Sequence, residues 1–360
     1  MDYFIKLKPI ESKGGLKMKK SLWITLFIAI CLVFISPLTV SAKPITLTFS
    51  TQNPETGWGQ VEALKPWLEQ IEKAANGKLK FKVYYSQTLN KGPDTWKAVR
   101  DGIADVGWCF HGYWPGMTSL SDVISLPSLP FNTAEEASGA LWKLYEKFPQ
   151  LAEQYKDNHI LLLYTTIPYF LITTKKQVKT LEDIKGLKIR MMGGPSTEMM
   201  KALGGVPVSV PMPGNYMALQ KGVTDGMGAP WEAVESFRLY ELVKYYTLGT
   251  KFPAVYFSIA VNKKKWNSLP DDVKAAINGA SGYMGSRHWG RNFMDTAKEP
   301  TIAKAKKQGY EVNIYELPKA EQARWLEVSG KPTWDWWLAK MKKDGHPEAK
   351  EILDALLGMF

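Results

Sequence analysis

The chain has 360 residues, of which 45% are hydrophobic and 22% charged. A chain of this length and composition can bury the cores of two globular domains. Its formal net charge is +11 at pH 7, but the lysines are scattered and no nucleic-acid-binding motif occurs. The composition therefore indicates a globular protein whose partners do not include nucleic acid.

The first 42 residues have the pattern of a Sec signal peptide. Basic residues that end at Lys20 precede an apolar run over 22–33, and a small-residue cleavage pattern ends at Ala42. The run is short for a membrane-spanning helix, which needs about 20 apolar residues. We therefore expect export to the periplasm, with a retained N-terminal anchor as the alternative.

Two further features of this segment bear on processing. Met18 is an alternative start, and Cys31 fits a lipid-attachment site poorly because Ile30 before it is not small. Removal of residues 1–42 lowers the formal charge to +7 and leaves Cys109 as the only cysteine. A disulfide within the mature chain is then impossible, so its stability must come from the core.

Apolar runs and alternating patterns predict seven strands separated by helices, which indicates an α/β protein. The predicted strands are 45–50, 79–84, 105–110, 160–165, 170–174, 187–191 and 254–261. Apolar residues at helical spacing predict helices over 61–71 and 134–155. A further helix is predicted from Ser268 to about Gln308, with Pro300 as a candidate kink.

An arginine at the end of one predicted strand is the strongest sign of a binding site. Arg190 is followed, after two methionines, by Gly193 and Gly194 and by a predicted helix that begins near Ser196. A guanidinium matches a carboxylate with two parallel hydrogen bonds, and a glycine-rich turn into a helix presents backbone N–H groups to the same anion. The alternative is an ordinary turn with a surface arginine.

An ordered set of motifs resembles the solute-binding proteins of tripartite ATP-independent periplasmic (TRAP) transporters, the DctP-type family. The resemblance covers about 47–337 and is strongest over the central segment. The motifs are 80–84, 98–107, 125–131, 178–190, 201–208, 216–226, 240–246 and 261–270. It implies a two-lobed α/β fold with an interlobe ligand cleft and a long helix that spans both lobes.

The same resemblance implies the domain organisation. Lobe one is expected to comprise 43–166 plus 256–295, and lobe two 167–255. The segment 296–360 is expected to be helical and to pack across both lobes. Residues 1–42 form the N-terminal extension and signal peptide.

Ligands of open α/β sheets bind beyond the carboxyl ends of the strands, so the loops that follow the strands predict the site. These loops are rich in aromatic residues, which suits an apolar pocket with a few polar anchors. Each aromatic residue has core packing as its alternative. The predicted ligand-binding residues are Arg190, Trp231, Tyr169, Phe170, His111, Phe110, Gly193, Asn53 and Glu232.

The chain departs from the family pattern in ways that bear on the ligand. A second arginine of the sialic-acid branch is replaced by Phe170, and an asparagine that contacts carboxylates in many members is absent from 227–230. The variant Pro230-Trp231-Glu232 resembles a large TRAP subgroup. These departures favour a monocarboxylate with an apolar or aromatic body, because a buried carboxylate without partners is costly.

The resemblance implies capture without chemistry and delivery to membrane permease subunits. No metal-ligand spacing, nucleophile elbow, P-loop or dinucleotide fingerprint occurs in the sequence, so no catalytic residue, metal or cofactor is assigned. A metal ion that bridges ligand and Glu232 is an alternative, as is a first-turn acid with no ligand role. A ligand-sensing subunit of a signalling receptor is the alternative function, and a monomer is expected.

Overall fold

Two mixed β-sheets organise residues 43–360, which is the range that the computed structural model describes. The predicted signal peptide lies outside this range. Within it, none of the helices is long and apolar enough to cross a membrane.

The first sheet defines what we call lobe one. It contains β1 (Ile45–Ser50), β2 (Leu79–Tyr84), β3 (Val106–Phe110), β4 (His159–Thr165) and β10 (Tyr256–Val261). Their order is β2-β1-β3-β10-β4, with β1 parallel to β2 and β3 and with β10 antiparallel to β3 and β4. The continuous apolar sequence of β4 is buried on both faces because helices cover it.

The second sheet defines lobe two. It contains β5 (Phe170–Thr173), β6 (Lys188–Arg190), β7 (Val206–Val208), β8 (Gly226–Ala229), β9 (Tyr245–Leu248) and β11 (Asn313–Glu316). Their order is β11-β9-β5-β8-β6-β7. β6 is parallel to both β7 and β8, so the carboxyl end of β6 lies among those of its neighbours.

Helices and two π-helical segments cover the sheets. The π-helical segments are Gln60–Leu64 and Gly290–Asp295. The α-helices are α1 (Lys65–Ala74), α2 (Thr95–Arg100), α3 (Ala134–Lys147), α4 (Pro149–Glu153), α5 (Leu181–Ile184), α6 (Gly194–Ala202), α7 (Asn215–Gln220), α8 (Trp231–Ser236), α9 (Lys263–Ser268), α10 (Asp271–Asn278), α11 (Gly282–Trp289), α12 (Lys298–Lys307), α13 (Lys319–Lys343) and α14 (Ala349–Leu357).

Two segments without regular secondary structure, 166–169 and 249–255, are among those that carry the chain between the lobes. They are joined to each other, because Thr166 N donates to Val255 O at 2.8 Å and Val255 N donates to Thr166 Oγ1 at 3.0 Å. These hydrogen bonds hold the two connecting segments side by side where they pass between the lobes.

Helix α13 packs on both lobes. Near its start, Arg324 forms an ion pair with Glu182 of lobe two at 2.6 Å. Near its end, Trp334 Nε1 donates to Pro127 O at 2.9 Å and Trp337 Nε1 donates to Ser119 O at 3.0 Å, both in lobe one. The helix therefore contacts both lobes.

The predicted helix from Ser268 to Gln308 is not one helix. It is divided into α10, α11, the π-helical segment and α12, although the segment as a whole passes from lobe one to lobe two. Pro300 lies in the first turn of α12, where proline is tolerated, so it does not cause the irregularity. The predicted helix 134–155 also breaks, at Pro149, which begins α4.

The seven predicted strands are all present within one or two residues of their predicted ends. The strands missed by the prediction are β7, β8, β9 and β11, which have three or four residues each. Runs this short carry too little alternation to be recognised, and β7 also contains Pro207 and β8 two glycines.

Candidate functional site

Arg190 is a buried cation with spare hydrogen-bonding capacity. Its side chain is 2% exposed, and its Nε donates to Val210 O at 3.0 Å. Its Nη2 has no hydrogen-bond partner among residues 43–360. Burial lowers the pKa of Arg190, which the neighbouring phenols of Tyr169 and Tyr113 partly offset. An oxyanion placed at Nη2 would supply the missing acceptor.

The local sequence explains why the guanidinium points inward. Arg190 is the last residue of β6 and pairs with Val208 and Met227 on the two flanking strands, so its backbone is held at the centre of this part of the sheet. Gly193, with a φ of 90°, then turns the chain into α6. The predicted strand end and glycine turn are both present.

A small cavity lies between the lobes at this arginine. Residues from the crossover segment, both sheets and α8 line it: Gln52, Asn53, Trp108, Phe110, Tyr169, Arg190, Met212, Met227, Pro230, Glu232, Ala233, Phe237, Phe257 and Met294. We call this the Arg190 cavity. Most of its lining is apolar or aromatic, with a few polar groups, as in small-molecule sites.

Aromatic residues of lobe one form one wall of the Arg190 cavity. Trp108 and Phe110 are two residues apart on β3, so they lie on the same face of the sheet. Phe257 is opposite Phe110 in the register of β10, with ring centroids 5.1 Å apart, and is 4.8 Å from Trp108. This wall is suited to a flat apolar body.

A polar chain joins the two lobes beside the cavity. Tyr113 Oη donates to Gln52 Oε1 at 2.7 Å and accepts from the Met212 backbone N at 2.9 Å. Gln52 and Tyr113 belong to lobe one and Met212 to lobe two. Asn53 is also buried, and its Nδ2 has no partner in the described part of the chain. The cavity therefore carries a second unused donor.

Glu232 brings a carboxyl group to the same cavity. Its side chain is 5% exposed, and Oε1 accepts from Ser236 Oγ at 2.7 Å, one turn along α8. Burial raises the pKa of Glu232 to about 8, Ser236 opposes this change and Glu235 adds to it. The carboxyl group is therefore mostly protonated at pH 7.

Tyr169 interacts electrostatically with both Arg190 and Glu232. Burial raises the pKa of its phenol, the Arg190 charge lowers it and Glu232 raises it. The phenol is therefore within electrostatic range of both groups, while Arg190 and Glu232 form no ion pair with each other. The cavity thus has a cationic region, a phenol and a neutral acid.

Phe170 and Trp231 do not line the Arg190 cavity. Their rings are 4.5 Å apart, and Trp231 stacks on Tyr246 at 5.2 Å within the core of lobe two. Each directly adjoins a residue that does line the cavity, namely Tyr169 and Glu232. Neighbouring residues of an extended or helical segment point in different directions, which the sequence of a loop does not reveal.

His111 and Gly193 also lie outside the lining. His111 is 2% exposed, with Nε2 2.9 Å from Ser258 Oγ and Nδ1 3.1 Å from Thr118 Oγ1. Its ring stacks on Tyr256, and burial lowers the pKa of the imidazole to about 3. A neutral histidine with both ring nitrogens occupied is part of the lobe-one core.

Of the nine predicted ligand-binding residues, five meet at the Arg190 cavity: Arg190, Tyr169, Phe110, Asn53 and Glu232. The prediction missed several lining residues, among them Trp108, Phe257 and Met212. Trp108 could have been found from its alternation with Phe110. Phe257 could not, because its place depends on the pairing of β3 with a strand much later in the chain.

The Arg190 cavity measures about 30 Å³. A benzene ring fits a cavity of about 150 Å³, so a ring-bearing acid requires the lobes to part or the lining to move outward. A larger groove of about 690 Å³ adjoins the crossover segments, and three of the predicted residues, Tyr169, Phe170 and Trp231, are on its lining together with Lys251 and Asp295. We take the smaller cavity as the site because only it contains the buried arginine with an unused donor.

Across the described residues, no three His, Cys, Asp or Glu side chains are grouped so as to hold a metal ion.

Comparison with known proteins gives a consistent picture. The model of the family "bacterial extracellular solute-binding protein, family 7" matches residues 49–340. A TRAP solute-binding protein from Rhodoferax ferrireducens, solved with benzoate, is 27% identical, with a TM-score of 0.82, over 88% of this chain and 97% of that one.

Two further solved structures are similar. A marine metagenome TRAP protein specific for aromatic acids, with 3-hydroxybenzoate bound, is 28% identical, with a TM-score of 0.82, over 88% of this chain and 98% of its own. A periplasmic TRAP protein from Bordetella bronchiseptica, with (R)- and (S)-mandelate bound, is 29% identical, with a TM-score of 0.78 and the same coverage.

Proposed function

Because this chain belongs to the bacterial extracellular solute-binding protein family 7, we propose that its ligand is a monocarboxylate with an aromatic or apolar body. The family consists of receptors for transported solutes, so the chain is a binding protein of a TRAP transporter and not an enzyme. The ligand is an organic acid bound at the Arg190 cavity.

The observation that carries this proposal is the buried guanidinium of Arg190 with its unpartnered Nη2. A carboxylate there receives a charge-assisted hydrogen bond and offsets the cost of burying the cation. Trp108, Phe110 and Phe257 then pack against the rest of the ligand. The three aromatic-acid complexes among the solved relatives support the same ligand class.

Capture proceeds by closure of the lobes. The crossover segments act as the hinge, and the Tyr113 bridge between Gln52 and Met212 closes beside the ligand. The ligand stabilises the closed form because only that form completes the contacts from both lobes. The closed, loaded monomer then delivers its ligand to the membrane permease subunits. Export through the N-terminal signal peptide places it in the periplasm.

Thermal unfolding of the purified protein against a panel of acids tests this proposal. The panel contains benzoate, hydroxybenzoates, mandelate, phenylacetate, aliphatic monocarboxylates, C4-dicarboxylates and sugar acids. A true ligand at about a hundredfold over its dissociation constant adds roughly 2.7 kcal/mol to stability. Stabilisation by the aromatic monocarboxylates is expected. Stabilisation by dicarboxylates or sugar acids alone would contradict the proposed ligand class.

A further inference from the structure

Among residues 43–360, Glu232 supplies the one carboxyl group on the lining of the Arg190 cavity. It lies in the first turn of α8, two residues after Pro230, and it is almost fully buried. Its recorded partner is the neutral hydroxyl of Ser236. An acid in the first turn of a helix interacts favourably with the helix dipole, but that interaction does not require the acid to line a cavity.

The nearby lysine, Lys304, forms no ion pair with Glu232. Lys304 of α12 pairs instead with Glu235, whose Oε2 also accepts from the Trp58 backbone N at 2.9 Å. No ion pair of Glu232 occurs in the part of the chain that the structure describes. A buried carboxylate without a cation is costly, so the group is retained as a neutral acid.

A neutral carboxylic acid is a strong hydrogen-bond donor, since its hydroxyl proton is available to an acceptor. Ser236 donates to Oε1, so the proton of Glu232 can be directed into the cavity from Oε2. The cavity thus offers a cationic donor at Arg190 and an uncharged donor at Glu232. A second carboxylate on the ligand would be buried at Glu232 with no cation to compensate it.

We propose that Glu232 is a specificity-determining residue that donates a hydrogen bond to an uncharged oxygen on the body of the ligand. This rests on the proposed function, in which Arg190 holds the single carboxylate. The site then selects aromatic monocarboxylates that carry a hydroxyl or carbonyl oxygen over unsubstituted acids, and it rejects aromatic dicarboxylates.

Calorimetric titration with matched probes tests the proposal. The probes are benzoate, the meta and para isomers of hydroxybenzoate and formylbenzoate, and the corresponding phthalates. The better isomer of formylbenzoate, which can only accept at its aldehyde, is expected to bind about tenfold more tightly than benzoate. The ratio of formylbenzoate affinity to benzoate affinity is expected to fall to about one in Glu232→Leu. In Glu232→Gln the amide is still a hydrogen-bond donor, so most of this ratio should remain.

Glu235→Gln is the matched control, because Glu235 is on the same helix but does not line the cavity. It is expected to leave the ratio of formylbenzoate to benzoate affinity unchanged. A ratio that survives in Glu232→Leu, or that is lost in Glu232→Gln, overturns the assignment of Glu232. If neither benzoate nor its derivatives bind the wild-type protein, the proposed function itself fails.

A pH series on the wild-type protein supplies a readout that does not depend on any variant. The ratio is expected to hold at pH 6–7 and to fall above about pH 8, where an ionised Glu232 repels the aldehyde oxygen. The titratable groups around Glu232 are Glu235, Tyr164, Tyr169 and, across the cavity, Arg190. A ratio that is constant to pH 9, or the same fall in Glu232→Gln, contradicts the proposal.

Discussion

Two buried polar clusters, one around His111 and one at the Arg190 cavity, differ in whether their hydrogen bonds are complete. In the His111 cluster, formed by His111, Thr118, Ser258 and Tyr256, both ring nitrogens and the phenol have partners. In the Arg190 cavity, Arg190 Nη2 and Asn53 Nδ2 lack partners among the described residues. Complete bonding indicates a structural role, and unused buried donors indicate a place for a ligand.

The sharpest test of this contrast is Arg190→Met. We expect the affinity for an aromatic monocarboxylate to fall by at least about a hundredfold, because a charge-assisted bond to a buried carboxylate is lost. The unfolding free energy without ligand should stay the same or rise, since an uncompensated buried cation is removed. Calorimetry and denaturant unfolding measure the two effects.

Arg190→Lys is the control for charge alone. It is expected to retain part of the affinity because it keeps the charge but not the planar fork. If Arg190→Met greatly lowers the unfolding free energy but retains ligand affinity, Arg190 is a structural residue and not a binding residue.

His111→Ala should show the opposite behaviour. Loss of the imidazole leaves Ser258 and Thr118 with broken hydrogen bonds and opens a space beside Tyr256, so stability should fall by about 2–4 kcal/mol. Ligand affinity should change by no more than about threefold at a temperature where the variant is folded. Chemical denaturation and calorimetry provide the comparison, and a selective loss of affinity would place His111 with the binding residues.

Tyr113→Phe should have an effect between those of the first two substitutions. The Tyr113 hydroxyl has its hydrogen-bond partners, as in the His111 cluster, but those partners lie on both lobes. The change removes the acceptor of Met212 N and the donor to Gln52. The closed form should become about 1 kcal/mol less stable relative to the open form, which lowers ligand affinity by about fivefold to tenfold. Titration of the variant measures this effect, and unchanged affinity would mean that the bridge is equally present before and after closure.

The smallest expected effect concerns pH and distinguishes the buried acid from the buried histidine. The pKa of Glu232 is raised to about 8 by burial, so its contribution to stability is complete below its unfolded pKa and is lost as pH rises through 8. The pKa of His111 is lowered to about 3, so its contribution is lost as pH falls from 6.5.

Between pH 7 and 8 the wild-type protein should therefore lose about 1 kcal/mol of unfolding free energy through Glu232, with no opposing term from His111. Glu232→Gln should remove most of this slope. Urea unfolding at intervals of half a pH unit measures it, and equal slopes in the two proteins would indicate that Glu232 is already ionised in the fold.

Features of the candidate site were predictable where the signal is local. The strand that ends in Arg190 and the glycine turn after it occupy a few consecutive residues, and the structure contains both. The pairs Tyr169–Phe170 and Trp231–Glu232 were predicted together, but only Tyr169 and Glu232 line the cavity. Which member of such a pair faces the cavity depends on how the segment is rotated against the other lobe, which is not a local property.

The sequence by itself determined the family, the α/β class, most strands of the two sheets and the arginine that we propose as the anion site, because these follow from local patterns and ordered motifs. Only the tertiary structure decided that Phe257 meets Phe110, that His111 is fully bonded within lobe one, and that Glu232 is buried without a cation. Each of these depends on contacts between residues far apart in the chain, and burial and hydrogen bonding arise from such contacts.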